Sequence, residues 1–167
     1  MSTSFDDLYR ADFYAWSQGQ AAELRRLRSE RINTRLDLDN LAEEVESLGR
    51  SDLRRVKSQL RRVMEQLLKL HYTSASEPRE GWLESILEAR QDIDDYLTPA
   101  MRPDVEGDLE RDYGKARAKA SLALRRYGED DAAERLPADL PYALAELLDT
   151  TWVPGGEAEI PSGTKKS

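Results

Sequence analysis

Apolar residues recur every three or four positions along most of the chain, the period of a helix buried on one face. The sharpest run is Leu53, Val56, Leu60, Val63, Leu67 and Leu70, whose steps of 3, 4, 3, 4 and 3 form a heptad seam and predict one long central helix. Upstream, Leu41, Val45 and Leu48 share a second stripe on a helix that Asp37 or Asp39 can cap. Joining the two stripes requires a phase slip near Gly49, and the expectation is a continuous or kinked helix through that point.

The flanking segments read the same way. Ser4 is an N-cap with Asp6 and Asp7 in the first turn, where acids favour the positive end of the helix dipole. One bent helix or two consecutive ones fill residues 5–33, with a junction near Gly19 and Leu8, Phe13 and Trp16 turned inward. Residues 74–81 carry Pro78 and Gly81 without an apolar period and form a loop. Leu83, Ile86, Arg90, Ile93 and Leu97 mark a further helix that ends before Pro99, because a residue preceding proline resists helical dihedrals. An alanine-rich helix covers 104–127 and stops at Gly128, and a short last helix spans Pro141 to Leu148 with Trp152 packed behind it.

Composition agrees with the periodicity. Leu and Ala together number 41 while Ile and Val number 9, a balance that favours helix over strand. The expected fold is therefore all-α: a single-domain bundle of about five to six helices over residues 1–153, followed by a flexible tail at 154–167 too poor in large apolar groups to offset its ordering entropy. The chain has 167 residues, 35% of them charged, a net charge of -8 and a mean hydropathy of -0.74. No apolar window is long enough for a membrane span and the N-terminus lacks a signal peptide, so an acidic, soluble, cytoplasmic protein is expected. With no cysteine and one histidine, His71, thiolate chemistry, disulfides and sites needing two histidines are excluded within one chain.

Three polar groupings remain as candidate chemistry. In the block Leu36 to Arg50, the residues Asn40, Glu43, Glu44 and Ser47 lie three or four apart and form a polar strip, with Glu44 set nearest the core. Together with Asp37 these carboxylates are what Mg²⁺ would select, although a capped, solvated helix start uses the same residues. Arg90 is the misfit of an apolar stripe, and its guanidinium needs a partner: a structural ion pair with Glu44, or an anion site. Residues 50–70 carry seven Lys and Arg against two acids, yet in an acidic chain this face is read as solvated surface and nucleic acid is not expected as a partner.

The strings Leu8-Tyr9, Asp12-Phe13-Tyr14-Ala15-Trp16 and Asn40-Leu41-Ala42-Glu43-Glu44-Val45-Glu46-Ser47-Leu48-Gly49-Arg50 resemble domain-of-unknown-function family twenty-nine, a bacterial family widespread in cyanobacteria. Leu67-Leu68-Lys69, Trp82, Ile86, Arg90, Pro99, Tyr113, Pro141-Tyr142, Leu147-Leu148-Asp149 and Pro154 follow in the family's order, so the resemblance covers about residues 8–154. The family pattern has His directly before Leu-Leu-Lys and Trp directly after, where this chain has Gln66 and Leu70. The resemblance implies an all-α domain without established activity, and points to Asp37, Asn40, Glu43, Glu44 and Arg90, with Gln66 at the position of the family's His.

The functional expectation is a helical interaction or oligomerisation module without catalytic activity or cofactor, which associates with itself as a homodimer or with another protein. The alternatives are a Mg²⁺-dependent phosphohydrolase similar to the all-α nucleoside triphosphate pyrophosphatases and a nucleic-acid-associated regulator. The first fits poorly, because in Glu43-Glu44-Val45-Glu46-Ser47 the third acid comes one residue early, and its second acidic pair would have to come from Glu88 with Asp92 or Asp95.

Overall fold

The computed structural model describes residues 4–75 and 78–152. The expected tail at 154–167 lies outside them. Among the described residues there are seven α-helices, one 3-10 turn and no strand. They are α1 (Phe5–Ala11), α2 (Phe13–Ser29), α3 (Leu38–Tyr72), α4 (Arg79–Tyr96), the 3-10 turn Pro99–Met101, α5 (Arg102–Arg126), α6 (Asp130–Glu134) and α7 (Leu144–Leu148). The all-α reading and the long helix hold, and α3 runs unbroken for 35 residues. No described helix is long and apolar enough to cross a membrane.

The helix count exceeds the expected five or six for two local reasons. The first segment does break in two, but at Asp12 rather than Gly19, and Asp12 is both the end of α1 and the N-cap of α2. The short helix α6 directly after Gly128 has no apolar period to announce it. Other expected termini hold: the Ser4 hydroxyl accepts the Asp6 N–H at 3.3 Å. Gly128 has φ +77, and the Glu129 N–H reaches Leu124 O at 2.9 Å, which closes α5 with a Schellman turn. The last helix starts at Leu144, three residues beyond Pro141, which is buried before it.

By contacts the chain divides into two compact units, Met1–Arg55 with Tyr96–Val105, and Val56–Asp95 with Glu106–Ser167. The first has a core of small side chains: Ala21, Ala42, Ser17 and Gly49 are buried, joined by Leu38, Met101 and Val105. Leu8, Phe13 and Trp16, expected inside, are only half-buried, and Tyr9 is 54% exposed. Here Tyr9 meets Trp16 edge-on at 4.8 Å and Phe13 stacks on Trp16 at 5.3 Å.

The buried face of α3 in this unit is Leu38, Ala42 and Gly49, with Val45 half-buried, and it runs on without a slip into Leu53. The expected stripe Leu41/Val45/Leu48 is displaced by one position, since Leu41 and Leu48 are 39% and 55% exposed. Small residues occupy the seam because α2 comes close there, and a leucine would not fit.

The second unit has the larger side chains. Val56, Leu60, Val63, Met64, Leu67, Leu68 and Leu70 of α3 are buried, as are Trp82, Ile86, Ala89 and Ile93 of α4 and Leu109, Tyr113, Ala116, Ala120 and Leu124 of α5. Two ion pairs join α3 to α5 on one register: Lys57 with Asp108, and Arg61 with Asp112 at 2.9 Å. An equal offset of 51 residues at both rungs means that these helices run parallel. The far end is fastened by polar bonds to backbone and to the Glu129 carboxylate. Tyr113 Oη donates to Pro137 O at 2.5 Å, and Arg117 donates to Pro137 O and Leu136 O at 2.8 and 3.2 Å. Glu129 accepts from Thr73 Oγ1 at 2.9 Å and Ser74 Oγ at 3.2 Å.

Candidate functional site

The acidic block of α3 is built as a helix start. Asp37 accepts the Asn40 backbone N–H at 3.2 Å and the Asn40 side-chain amide at 2.7 Å, so it rather than Asp39 supplies the cap. These bonds, the side-chain one foremost, hold the Asp37 carboxyl below its ordinary range. One turn on, Glu43 and Glu46 sit in a four-membered charge network with Arg25 of α2 and Arg50 of α3. Arg50 reaches Glu43 at 2.8 Å and Glu46 at 3.3 Å, while Arg25 reaches Glu46 at 2.6 Å and Glu43 at 3.8 Å. The Arg25 hydrogen bond is the main reason the Glu46 carboxyl is held low. Glu44, placed nearest the core by the sequence pattern, is exposed.

The strip therefore divides: Asp37 and Asn40 satisfy each other, Glu43 and Glu46 neutralise arginines, and Glu44 faces solvent. Among the described residues no three His, Asp or Glu side chains converge as a metal would require. Glu88, a candidate for a second acidic pair, accepts from Arg62 at 3.2 Å.

Arg90 is buried as its position on the stripe requires, at 2% exposure. Its partners are not carboxylates. Nε donates to Leu147 O at 2.9 Å, Nη1 to Trp152 O at 2.6 Å and Nη2 to Glu146 O at 2.9 Å. The guanidinium thus takes up carbonyls that the end of the five-residue α7 leaves without intrahelical donors. Arg90 is a clamp on the α7 turn, and backbone satisfies it where the sequence suggested Glu44. Burial lowers its pKa from the ordinary arginine value, with the Asp149 carboxylate opposing.

The basic face of residues 50–70 is largely matched by acids within the fold. Besides Arg50, Lys57 and Arg61, Arg62 pairs with Glu88 and donates from Nε to Ser85 Oγ at 2.9 Å, and Lys69 pairs with Glu65 at 3.5 Å. Lys69 is 7% exposed and lies 5.2 Å from the Trp82 ring, and its burial lowers its pKa. A face compensated in this way gives up little counterion-release energy to a phosphate backbone. Gln66 is half-buried on the same helix, away from any Arg90 bond, and its side-chain oxygen lies buried with no hydrogen bond from a described residue.

Sequence reasoning missed a carboxylate that joins separate elements of the first unit. Asp12, 7% exposed, accepts the Ala15 N–H at 2.9 Å as cap of α2 and the Ala100 N–H of the 3-10 turn at 2.8 Å. Tyr14 Oη donates to Asp104 at 2.8 Å beside it. The N-cap role was legible in Asp12-Phe13-Tyr14-Ala15; the bond to a residue 88 positions away was not.

These elements define an all-α protein whose polar clusters cap helices and join them. A family model described as "Domain of unknown function DUF29" matches residues 8–153, and the chain belongs to that family. It is also similar, over 89% of its length and 91% of the other chain, to an alpha-helical protein of unknown function from Rhodospirillum rubrum, at 26% identity and a TM-score of 0.78. No curated protein matches.

Proposed function

We propose that the protein is a helical self-association module that pairs with a second copy of itself through the first half of α3. The observation that carries this reading is the exposure of Leu41 and Leu48, one heptad apart, at 39% and 55%. With half-buried Val45 between them they present an apolar stripe of the kind helices cover with one another.

Charge selects the occupant. Residues 39–46 carry Asp39, Glu43, Glu44 and Glu46 with no base, whereas residues 50–55 carry Arg50, Arg54 and Arg55 against Asp52. The helix is thus negative before Leu48 and positive after it. Glu43, Glu46 and Arg50 pair with one another and with Arg25, and Asp39 with Arg28, so the charges that meet a second copy are exposed Glu44 on one side and exposed Arg54 on the other. An antiparallel copy related by a two-fold axis near Leu48 sets these two in opposition, the self-complementarity an isologous interface requires. A partner helix of uniform sign would meet repulsion at one end.

Sedimentation velocity over a range of protein concentrations tests the reading. A dimer whose dissociation constant rises with salt, and which Leu48→Asp converts to a folded monomer, is the expected result. A chain that sediments as a monomer at every concentration, or a dimer indifferent to Leu48→Asp, overturns it.

A further inference from the structure

The first unit has an open cleft of ≈ 610 Å³ where α1 meets the start of α2. Its lining is Asp6, Asp7, Tyr9 and Arg10 of α1 with Trp16 of α2, so it shares no residue with the stripe on α3. The volume is in the range of small-molecule sites.

Two aromatic rings wall the cleft, and solvent reaches both: Tyr9 is 54% exposed and Trp16 half-buried. Phe13 stacks on Trp16 at 5.3 Å, while Tyr9 stands steeply inclined to both rings, 4.8 Å from Trp16 and 5.8 Å from Phe13. Were Tyr9 on the far side of Trp16 from Phe13, it would lie nearly twice as far from Phe13. Tyr9 therefore stands beside the stack, and no other described ring covers the outer face of Trp16. Aromatic faces carry negative potential and attract cations. They offer no strong acceptor, so they favour a methylated nitrogen over a primary ammonium, which is strongly hydrated and needs partners for its N–H groups.

The charges at the rim select the ligand further. Asp6, Asp7 and Arg10 are exposed and form no ion pair with a described residue. A bare cation over the rings gains from the two carboxylates but is opposed by Arg10. A molecule that carries its own anion about 5–6 Å from its cation, the separation of residues three or four apart on a helix, satisfies all three.

We propose that this cleft binds a small quaternary-ammonium carboxylate, a betaine, with its methylated nitrogen over Tyr9 and Trp16 beside Asp6 and Asp7, and its carboxylate on Arg10. The site is open to water, so the affinity expected is millimolar.

Titration of the full chain, followed by the Trp16 indole N–H resonance, tests this. The ligands are γ-butyrobetaine, its uncharged-head isostere 5,5-dimethylhexanoate, tetramethylammonium, and a capped peptide bearing trimethyl-lysine. The betaine should move the Trp16 signal while those of Trp82 and Trp152 stay in place, and should bind about ten-fold more tightly than the isostere. Tyr9→Leu, which keeps apolar bulk and removes the ring, should weaken it about five-fold. Arg10→Gln should reduce the betaine to the affinity of tetramethylammonium, with no change in melting temperature for a substitution at an exposed position. A Trp16 signal unmoved by roughly 50 mM betaine overturns the proposal. So does an isostere that binds equally well, since the cleft would then be merely apolar. Equal binding of tetramethylammonium or of the trimethyl-lysine peptide also overturns it, because neither brings a carboxylate to Arg10.

Discussion

Gly49 of α3 and Ser17 of α2 are in such close contact that a Cβ at position 49 would stand 1.9 Å from Ser17 Oγ and 3.0 Å from Ser17 Cβ. Ser17 cannot retreat easily, being fully buried with its hydroxyl bonded to Tyr14 O at 2.8 Å. Gly49 therefore serves close approach of two helices, and its cost in helix propensity is offset by the packing it permits. Gly49→Ala should destabilise the first unit by about 1–3 kcal/mol, and Ser17→Ala in the same chain should recover part of the loss by removing the 1.9 Å contact. Urea midpoints of the two single variants and the double variant give the coupling directly, and strict additivity would contradict the contact.

The Arg61–Asp112 pair is asymmetric. Asp112 is 2% exposed, whereas the Arg61 side chain is 30% exposed and its head has a route to solvent. Removing the arginine strands a buried carboxylate, so Arg61→Ala should cost roughly 3–5 kcal/mol. Asp112→Ala leaves a cation that reaches water, and should cost clearly less. Thermal unfolding of both variants ranks them, and an equal or reversed order would refute the asymmetry.

Arg90→Lys should fail to preserve the clamp on α7. A single ammonium lacks the planar fork that serves Leu147 O, Trp152 O and Glu146 O together, and the orphaned carbonyls each carry a desolvation penalty. The expected loss is about 2–4 kcal/mol. Amide hydrogen exchange should quicken first over residues 144–152, while the buried run of α3 keeps its protection. Uniform quickening throughout the second unit would speak against a local clamp.

Alkaline pH should unfold the protein through its tyrosines. Burial pushes the Tyr14 phenol up to about 12, helped by its bond to Asp104, and burial pushes Tyr113 up to about 12 as well. Tyr142 is also raised well above its ordinary value by burial. For a group whose folded pKa exceeds its unfolded value, the stabilisation is complete below the unfolded pKa and is lost as pH rises through the folded one. Stability should thus hold up to about pH 10 and fall between 10 and 12. Phenolate absorbance at 295 nm, followed together with helical circular dichroism, should show these tyrosines ionising as helix is lost. Tyr113→Phe should reduce the slope. Full ionisation near pH 10 with helix intact would refute the burial argument.

What could be read from the sequence was whatever a single helix decides for itself. The seam from Val56 to Leu70, the Ser4 cap and the left-handed Gly128 stop each depend on residues within a few positions, where side-chain type and helical geometry suffice. Asp37 and Asn40 belong to the same group, since the capping partner lies three residues away. The basic character of α3 was equally plain, although the acids that answer it were not.

The tertiary structure decided which face of α3 is buried before Leu53, what satisfies Arg90, and where Gln66 points. Hydrophobicity marks a leucine as a core residue, but helices that approach closely bury alanine, serine and glycine instead, and so Leu41 and Leu48 are left outside while Ala42 and Gly49 go in. A buried guanidinium needs acceptors, and a sequence shows carboxylates as side chains but not the backbone carbonyls that a short helix end 57 residues later leaves open. The sequence sets each helix and its polarity because those forces act over one or two turns; partners come from neighbours distant along the chain, and only folding brings them into reach.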